Sequence, residues 1–229
     1  MLALGTVATD LRPAAAAGAA YRLDLHRAGD FVGQVDPKWC IGASMQMMLN
    51  IVGPADDHSA ETQTRLMELA RSYQVNTSWA GRGGASPQGL ASGLATLGAG
   101  AYRVTSTATL EDAAELIARA IRATGRPAAI SVHRGTHSWV VAGFEATADP
   151  RTSGSFDVTG LVVLDPWYPR SYRGWGAPPR PGSTLSLAGL AEHYLPWERD
   201  GRISRWSGRY RLVLPVVPTA PLERHTRPH

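Results

Sequence analysis

Helical and strand-like patterns are segregated along this chain of 229 residues, and that segregation constrains its fold more than any other feature of the sequence. Segments in the first half place apolar residues at helical spacing, whereas the second half contains short runs rich in β-branched residues. Helices followed by strands, rather than alternating with them, are typical of α+β domains. The sequence therefore predicts a helical N-terminal half packed on an antiparallel β-sheet that the C-terminal half supplies.

Turn residues and helix caps set the expected bounds of these elements. Ser59 and Ser86 are N-cap candidates, Pro87 suits the first position of a helix, and Gly53 ends the first helix. Residues 168–182 are rich in Pro, Gly, Trp and Tyr, and they are predicted to form an ordered surface loop. The predicted helices cover residues 40–52, 59–73, 86–97 and 109–124, and the predicted strands cover residues 127–133, 137–146, 160–166 and 209–217.

The length of the chain is that of one domain, which we assign to residues 26–217. Residues 1–25 are interpreted as an N-terminal extension without fixed structure, and residues 218–229 as a frayed tail. The extension lacks the positively charged start of a signal peptide, so a cytoplasmic location is favoured over secretion. No apolar run reaches the roughly 18 residues that span a bilayer, so no membrane span is expected.

Charge and cysteine content narrow the classes of function. The net charge of +4 comes from arginines that are spaced among Pro, Gly and Trp rather than clustered, so no nucleic-acid partner is expected. The single cysteine, Cys40, cannot form an internal disulfide, and it excludes cysteine-rich zinc modules. His133 and His137 lie in strand-like sequence where they need not converge, and no third ligand accompanies them. No metal and no cofactor are therefore expected.

Cys40 is either a buried apolar side chain or a nucleophile, and its position favours the second. The preceding sequence, DPKW, is incompatible with a helix, so Cys40 stands where a helix begins. A helix dipole and a nearby imidazolium both favour the reactive thiolate over the thiol. A lone cysteine is more often a small hydrophobe than a nucleophile, so the prediction depends on the residues that accompany it.

Three polar residues elsewhere complete the set that nucleophilic catalysis by cysteine needs. Gln34 lies six residues before Cys40, and its amide can return toward the sulfur as an oxyanion donor together with the backbone N–H of Cys40. His137 begins a strand and is the candidate base. Asp165 ends the next apolar strand, where it is expected to accept the Nδ1–H of the imidazole.

The motifs around these residues resemble those of papain-like cysteine peptidases, specifically a bacterial branch similar to the bacteriocin-leader-processing peptidases. They are QVDPKWCIGASMQMMLNIVG, GASPQGLASGLATLG, HSWVVAGFE and VVLDPW, and they cover about residues 34–168 in the order of that branch. In the branch a Gln precedes the nucleophile by about six residues. The His starts a strand with a Gly six positions on, here Gly143, and an Asp-Pro follows a strand.

The resemblance implies a papain-like fold and a role for each residue of the set. Cys40 would be the nucleophile, His137 the base and acid, Asp165 the orienting group and Gln34 the oxyanion donor. The implied partner is a polypeptide, cleaved at a peptide or amide bond through an acyl-thioenzyme. The candidate contacts for this substrate are Trp39, Gly84, Ser138, Trp139 and Trp167.

Two other functions stay open at this point. The branch usually has Gly-Pro after the nucleophile, whereas this chain has Ile41-Gly42. That departure and the aromatic loop motivate a catalytically silent papain-like module that binds a polypeptide or a cell-surface polymer. The same triad could also transfer the acyl group to an amine instead of water. The sequence makes no prediction of the oligomeric state.

Overall fold

The computed structural model describes residues 20–54, 56–74, 83–198 and 204–217, and within them it shows five α-helices and seven β-strands. The helices are α1 (Cys40–Val52), α2 (Ala60–Ser72), α3 (Pro87–Thr96), α4 (Leu110–Thr124) and α5 (Leu187–Ala191). The strands are β1 (Tyr21–Asp24), β2 (Tyr102–Thr107), β3 (Ala128–Val132), β4 (His137–Ala146), β5 (Val158–Leu164), β6 (Ser183–Ser186) and β7 (Tyr210–Pro215). This mixture of helices and antiparallel strands confirms the α+β prediction.

The strands form one antiparallel sheet in the order β2-β7-β3-β4-β5-β6, with β4 near its centre. The first part of β4, residues 137–141, pairs with β3, and its second part, residues 143–146, pairs with β1. Strand β1 approaches so closely that a Cβ atom on Gly143 would lie 2.3 Å from the carbonyl oxygen of Leu23. The glycine six residues after His137 is therefore required by the pairing of β1 with β4.

Two apolar cores cover the two faces of the sheet. Helices α1, α2 and α3 pack over one face, which includes Val140 and Val162. Helices α4 and α5 pack over the other face, which includes Trp139 and Val163. Successive residues of β4 point to opposite faces, and both faces are buried, so β4 reads as an almost continuous apolar run.

Polar side chains cap the helices as the sequence predicts. Ser59 and Ser86 accept backbone N–H groups in the first turns of α2 and α3, and Thr109 does the same for α4. Pro87 is the first residue of α3, and Gly125 follows α4 in the left-handed conformation. The local capping chemistry therefore determines where these helices begin and end.

The domain boundary expected at residue 26 is wrong, because residues 21–24 form β1 and pair with β4. Strands β2 and β6 and the short helix α5 are not predicted by the sequence patterns either; both strands lie at sheet edges, where only one neighbour stabilises them. Residues 1–19 and 218–229, interpreted as an extension and a tail, lie outside the described residues. In the described ranges, no helix is long and apolar enough to cross a membrane.

Candidate active site

Cys40 is the first residue of α1, and the loop before it is held by hydrogen bonds to Asp36. The carbonyl oxygen of Asp36 accepts the backbone N–H of Trp39 at 3.1 Å, and its carboxylate accepts the backbone N–H of Lys38 at 2.8 Å. The N-cap residue Trp39 offers no side-chain acceptor, so no cap side chain occupies the first N–H groups of α1. Cys40 is partly exposed at this positive end of the helix, a position that favours an anion.

His137 and Asp165 meet because β4 and β5 are antiparallel, which places the start of β4 beside the end of β5. The His137 Nε2 and Asp165 Oδ1 atoms lie 2.7 Å apart, and both side chains are almost fully buried. The same Oδ1 atom accepts the backbone N–H of Trp167 at 2.8 Å, which orients the carboxylate. The expectation that Asp165 accepts the Nδ1–H is wrong, because Nε2 is the nitrogen that reaches across to the end of β5. Nδ1 is left for the thiol of Cys40.

The electrostatic surroundings of His137 keep its ring protonated. Burial lowers the pKa of His137, but the hydrogen bond to Asp165 and the interactions with Cys40 outweigh burial and raise the pKa to about 9. The ring therefore responds to both the carboxylate and the thiol. An imidazolium next to a cysteine favours the thiolate, which is the nucleophilic form.

A cleft of about 510 Å³ opens over Cys40 and His137. Its volume lies in the range of ligand-binding sites, and Cys40 and His137 are both among its lining residues. Apolar walls come from Ala85, Trp175 and Trp197. Among the described residues, the charged side chains that line the cleft are Lys38, Arg134 and Glu198.

Trp175 covers the ring of His137, a role that the sequence does not reveal. The two rings stack with centroids 5.0 Å apart and planes inclined by 22°. Trp175 also stacks on His133, with centroids 4.5 Å apart and an interplanar angle of 1°. Burial, and then the positive charge of His137, lower the pKa of His133 to about 4. His133 is therefore a neutral ring that supports Trp175 from the side of the β3–β4 turn.

The turn between β3 and β4 has an uncommon backbone conformation. His133 and Arg134 have positive φ angles of 50° and 58°, and Gly135 follows with 85°. Such angles are costly for residues with a Cβ atom, and they occur preferentially at functional sites. A Cβ atom on Gly135 would lie 2.2 Å from Cδ1 of Trp197, so the turn is also closed against the cleft wall. The hairpin is in the predicted place, and its conformation brings His133 and Arg134 to the cleft.

The structure fixes both the backbone and the side chain of Gln34. Its backbone N–H donates to the carbonyl oxygen of Pro166 at 2.8 Å, and its carbonyl oxygen accepts Nη1 of Arg170 at 2.8 Å. The side-chain Nε2 donates to the carbonyl oxygen of Asp36 at 2.9 Å, which determines the orientation of the amide. This bond uses one of the two N–H groups of the amide. Gln34 is thus buried in the loop that leads to Cys40.

Gln63 of α2 supports the segment that carries Gln34, and sequence patterns give no sign of this contact. Its Oε1 accepts the backbone N–H of Val35 at 2.8 Å, and its Nε2 donates to the carbonyl oxygen of Gly33 at 3.2 Å. Nε2 also donates to Oε1 of Gln46 on α1 at 3.2 Å. The residues on both sides of Gln34 are therefore bound to one fully buried side chain.

Of the five candidate substrate contacts, only some lie at the cleft. Gly84 lines the cleft. Trp39 packs against the helical core, and Trp167 lies behind the cleft beside Asp165. Ser138 and Trp139 are buried, Trp139 completely, and neither lines the cleft. The prediction of a substrate contact is wrong for these two residues, because successive positions of β4 point into the two cores.

Ile41 and Gly42 point away from the cleft. They stand where the bacterial peptidase branch usually has Gly-Pro. Ile41 is buried in the core between the helices and the sheet. A Cβ atom on Gly42 would lie 3.0 Å from the carbonyl oxygen of Gln63, so a glycine lets α1 approach α2 closely. The two residues therefore serve helix packing and do not narrow the entrance to Cys40.

The known proteins that are similar to this chain are a sequence family and solved structures. No curated protein matches the chain. The solved structure of UfSP from C. elegans is similar with a TM-score of 0.40 and 17% sequence identity, over 79% of this chain and 30% of that chain, so this chain spans less than a third of the length of that structure. The sequence model of the Peptidase_C39 like family matches residues 28–180, which is well over half of the chain. The match includes all four residues of the candidate catalytic set, and the chain belongs to the Peptidase C39-like family.

Proposed function

We propose that this protein is a cysteine hydrolase that cleaves a peptide or amide bond through an acyl-thioenzyme at Cys40. The observation that carries the proposal is the ring of His137, which binds Asp165 through Nε2 at 2.7 Å and interacts with Cys40. A thiol, a base and a group that orients the base are the arrangement that activates a nucleophile. Membership of a peptidase family supports the same reaction class.

The first half of the reaction uses the protonated state of His137. The Cys40 thiolate attacks the carbonyl carbon of the substrate, and a C–S bond and an oxyanion form. When the oxyanion collapses, the C–N bond breaks and His137 donates its Nδ1 proton to the leaving amine. The products of this half are a free amine, a thioester on Cys40 and a neutral imidazole whose Nε2–H still faces Asp165.

The second half returns the enzyme to its starting state. Neutral His137 takes a proton from water, and the resulting hydroxide attacks the thioester carbon. Collapse of this second tetrahedral intermediate releases a carboxylic acid and the Cys40 thiolate. The proton stays on His137, and the thiolate–imidazolium pair is restored.

Gln34 is the proposed oxyanion donor, together with the backbone N–H of Cys40. The bond from Nε2 to Asp36 presents the amide nitrogen, rather than the amide oxygen, toward the loop that ends at Cys40. One donor of this kind lowers the barrier by about 3–4 kcal/mol, so Gln34→Ala should reduce kcat by about 10²-fold or more. The rate at which iodoacetamide alkylates Cys40 should not change in Gln34→Ala, because that reaction forms no oxyanion.

A labelling experiment tests the proposal directly, because Cys40 is the only cysteine. An epoxysuccinyl peptide should add once to the folded protein, as measured by intact mass, and His137→Ala should slow the addition by about 10²-fold or more. Cys40→Ser is the matched control and should not react. If iodoacetamide modifies Cys40 only after unfolding in urea, the thiol is sealed and the proposal is refuted. Product analysis with an added amine distinguishes hydrolysis from acyl transfer.

A further inference from the structure

Lys38 lines the cleft and lies two positions before Cys40 in the chain. It is the only lysine of the chain, and it is exposed on the wall of the cleft that contains Cys40 and His137. Within the described residues, its ammonium group makes no ion pair with a carboxylate. The neighbouring carboxylate of Asp36 is bound to the backbone N–H of Lys38. Among the residues that the structure describes, no carboxylate therefore neutralises the ammonium group of Lys38.

The side chain of Lys38 is supported by the glycine-rich rim of the cleft. Gly83 has a φ of +78°, and a Cβ atom there would lie 2.9 Å from Cδ of Lys38. The aliphatic stem of Lys38 thus lies against a residue that has no side chain to displace it. Arg71 of α2 holds this rim, because its guanidinium donates to the carbonyl oxygens of Gly83 and Gly84. Lys38 is consequently less free than an ordinary surface lysine.

Arg134 is a second cation that lines the same cleft, and its ion-pair partner can be exchanged. Arg134 pairs with Glu198, and both side chains are more than half exposed. Exposed ion pairs are weak because water and salt screen them, so a carboxylate of a ligand can compete with Glu198 for Arg134. The left-handed backbone of the β3–β4 turn brings Arg134 to this position. Among the described residues that line the cleft, two are cations and one is a carboxylate, so their summed charge is positive.

We infer that the substrate carries a carboxylate close to the bond that is cleaved, and that Lys38 binds this carboxylate with assistance from Arg134. The inference deepens the proposed function and rests on it. The carboxylate can be an Asp or Glu side chain or the C-terminus of a peptide, since both present the same group to an ammonium. Lys38 is thus a specificity-determining residue of the cleft.

Two alkylating reagents of similar size and different charge test whether the positive charge of Lys38 raises the electrostatic potential at Cys40. Iodoacetate is an anion and iodoacetamide is neutral, and both add to the same sulfur. A change in the reactivity of the thiol affects both reagents equally, so the ratio of their rates reports the local potential. Lys38→Met should lower the iodoacetate-to-iodoacetamide ratio about threefold or more at low ionic strength, and the difference should shrink in high salt. Arg103→Met, the same charge change on a remote exposed residue, is the matched control and should leave the ratio unchanged.

The outcomes separate the two proposals. If neither reagent modifies folded wild-type protein, the thiol is unreactive and the proposed function fails. If both reagents modify it and Lys38→Met leaves the ratio at the wild-type value, Lys38 exerts no field at the sulfur and the inference is overturned. An equal drop of the ratio in Arg103→Met would overturn it as well, because the effect would then follow the net charge of the protein.

Epoxysuccinyl peptides identify the source of the carboxylate. One arm compares peptides with Asp or Asn beside the epoxide and an amidated C-terminus. The second arm compares neutral peptides with a free or an amidated C-terminus. We expect one arm to show at least threefold faster labelling by the acidic member in wild-type protein and a smaller preference in Lys38→Met. Labelling that is equally fast within both pairs would overturn the inference while leaving the proposed function in place.

Discussion

Gln63→Met is the substitution that most directly tests how Gln34, the proposed oxyanion donor, is positioned. The side chain of Gln63 binds the backbone on both sides of Gln34, and methionine keeps its length but none of its hydrogen bonds. The change leaves the carbonyl oxygen of Gly33 and Oε1 of Gln46 without this partner. Val35 is exposed, so water can replace its lost bond. At about 1–3 kcal/mol for each of these two unsatisfied groups, the free energy of unfolding should fall by roughly 2–6 kcal/mol.

The catalytic effect of Gln63→Met should be selective for steps that form an oxyanion. A displacement of Gln34 by about 1 Å can cost on the order of 10² in rate. Acylation of Cys40 by p-nitrophenyl acetate passes through an oxyanion, and its rate should fall about 10- to 100-fold. Alkylation of Cys40 by iodoacetamide forms no oxyanion and should stay within about twofold of the wild-type rate.

Leu94→Ala is the matched control for lost stability. Leu94 is fully buried in α3, and its truncation should cost about 2–5 kcal/mol without touching the segment of Gln34. Urea titrations give the two free energies of unfolding, and the acylation and alkylation rates are measured under conditions where both variants are folded. Equal acylation by Gln63→Met and Leu94→Ala, or a parallel loss of alkylation in Gln63→Met, would refute the positioning role of Gln63.

Three further predictions concern the rings and the carboxylate beside the nucleophile. Burial lowers the pKa of His137 and Asp165 contributes to raising it to about 9, so Asp165→Asn should move the NMR titration of His137 to lower pH; an unchanged midpoint would contradict the assignment. Trp175→Ala removes the ring that stacks on the imidazolium, and because a cation–π contact contributes about 0.5–2 kcal/mol, the same titration should shift down by about 0.4–1.5 pH units. His133 has a pKa of about 4, mainly through burial, so between pH 6.5 and 4 the unfolded chain binds a proton that the folded protein does not; stability is lost as the pH falls through this window. His133→Phe should reduce that loss in urea titrations at pH 7 and pH 4.5, and an undiminished loss would assign it to other groups.

The sequence predicts best the helices whose ends carry capping residues. Ser59 and Ser86 cap α2 and α3, and the bounds of these helices follow from the caps. The order of helices and apolar strands also suffices for the α+β class and for expecting His137 and Asp165 at the ends of neighbouring strands. Strand β1 escapes prediction because its four residues alternate between half-buried and exposed, and only pairing with β4 makes them a strand.

The parts of the site that sequence patterns miss depend on contacts between distant segments. Trp175 belongs to an irregular loop, and its position over His137 arises only when that loop folds across the sheet edge. Gln63 looks like an ordinary polar helix residue, yet it is fully buried because α1 packs closely on α2. Which imidazole nitrogen faces Asp165 depends on the direction of approach between β4 and β5, and spacing along the chain contains no information on it.

The hydrogen bonds around Gln34 explain how the four candidate catalytic residues keep their relative positions, although some come from the helices and others from the sheet. The backbone N–H of Gln34 binds Pro166, the residue after Asp165, and Arg170 of the same segment binds the carbonyl oxygen of Gln34. On its other side, Gln63 ties the neighbours of Gln34 to the helical layer that also carries Cys40. A shift of the helices relative to the sheet would therefore break bonds on one side of Gln34 or the other. The segment around Gln34 thus links the helix that carries Cys40 to the strand end that carries Asp165, and the long side chains of Gln63 and Arg170 make most of these links.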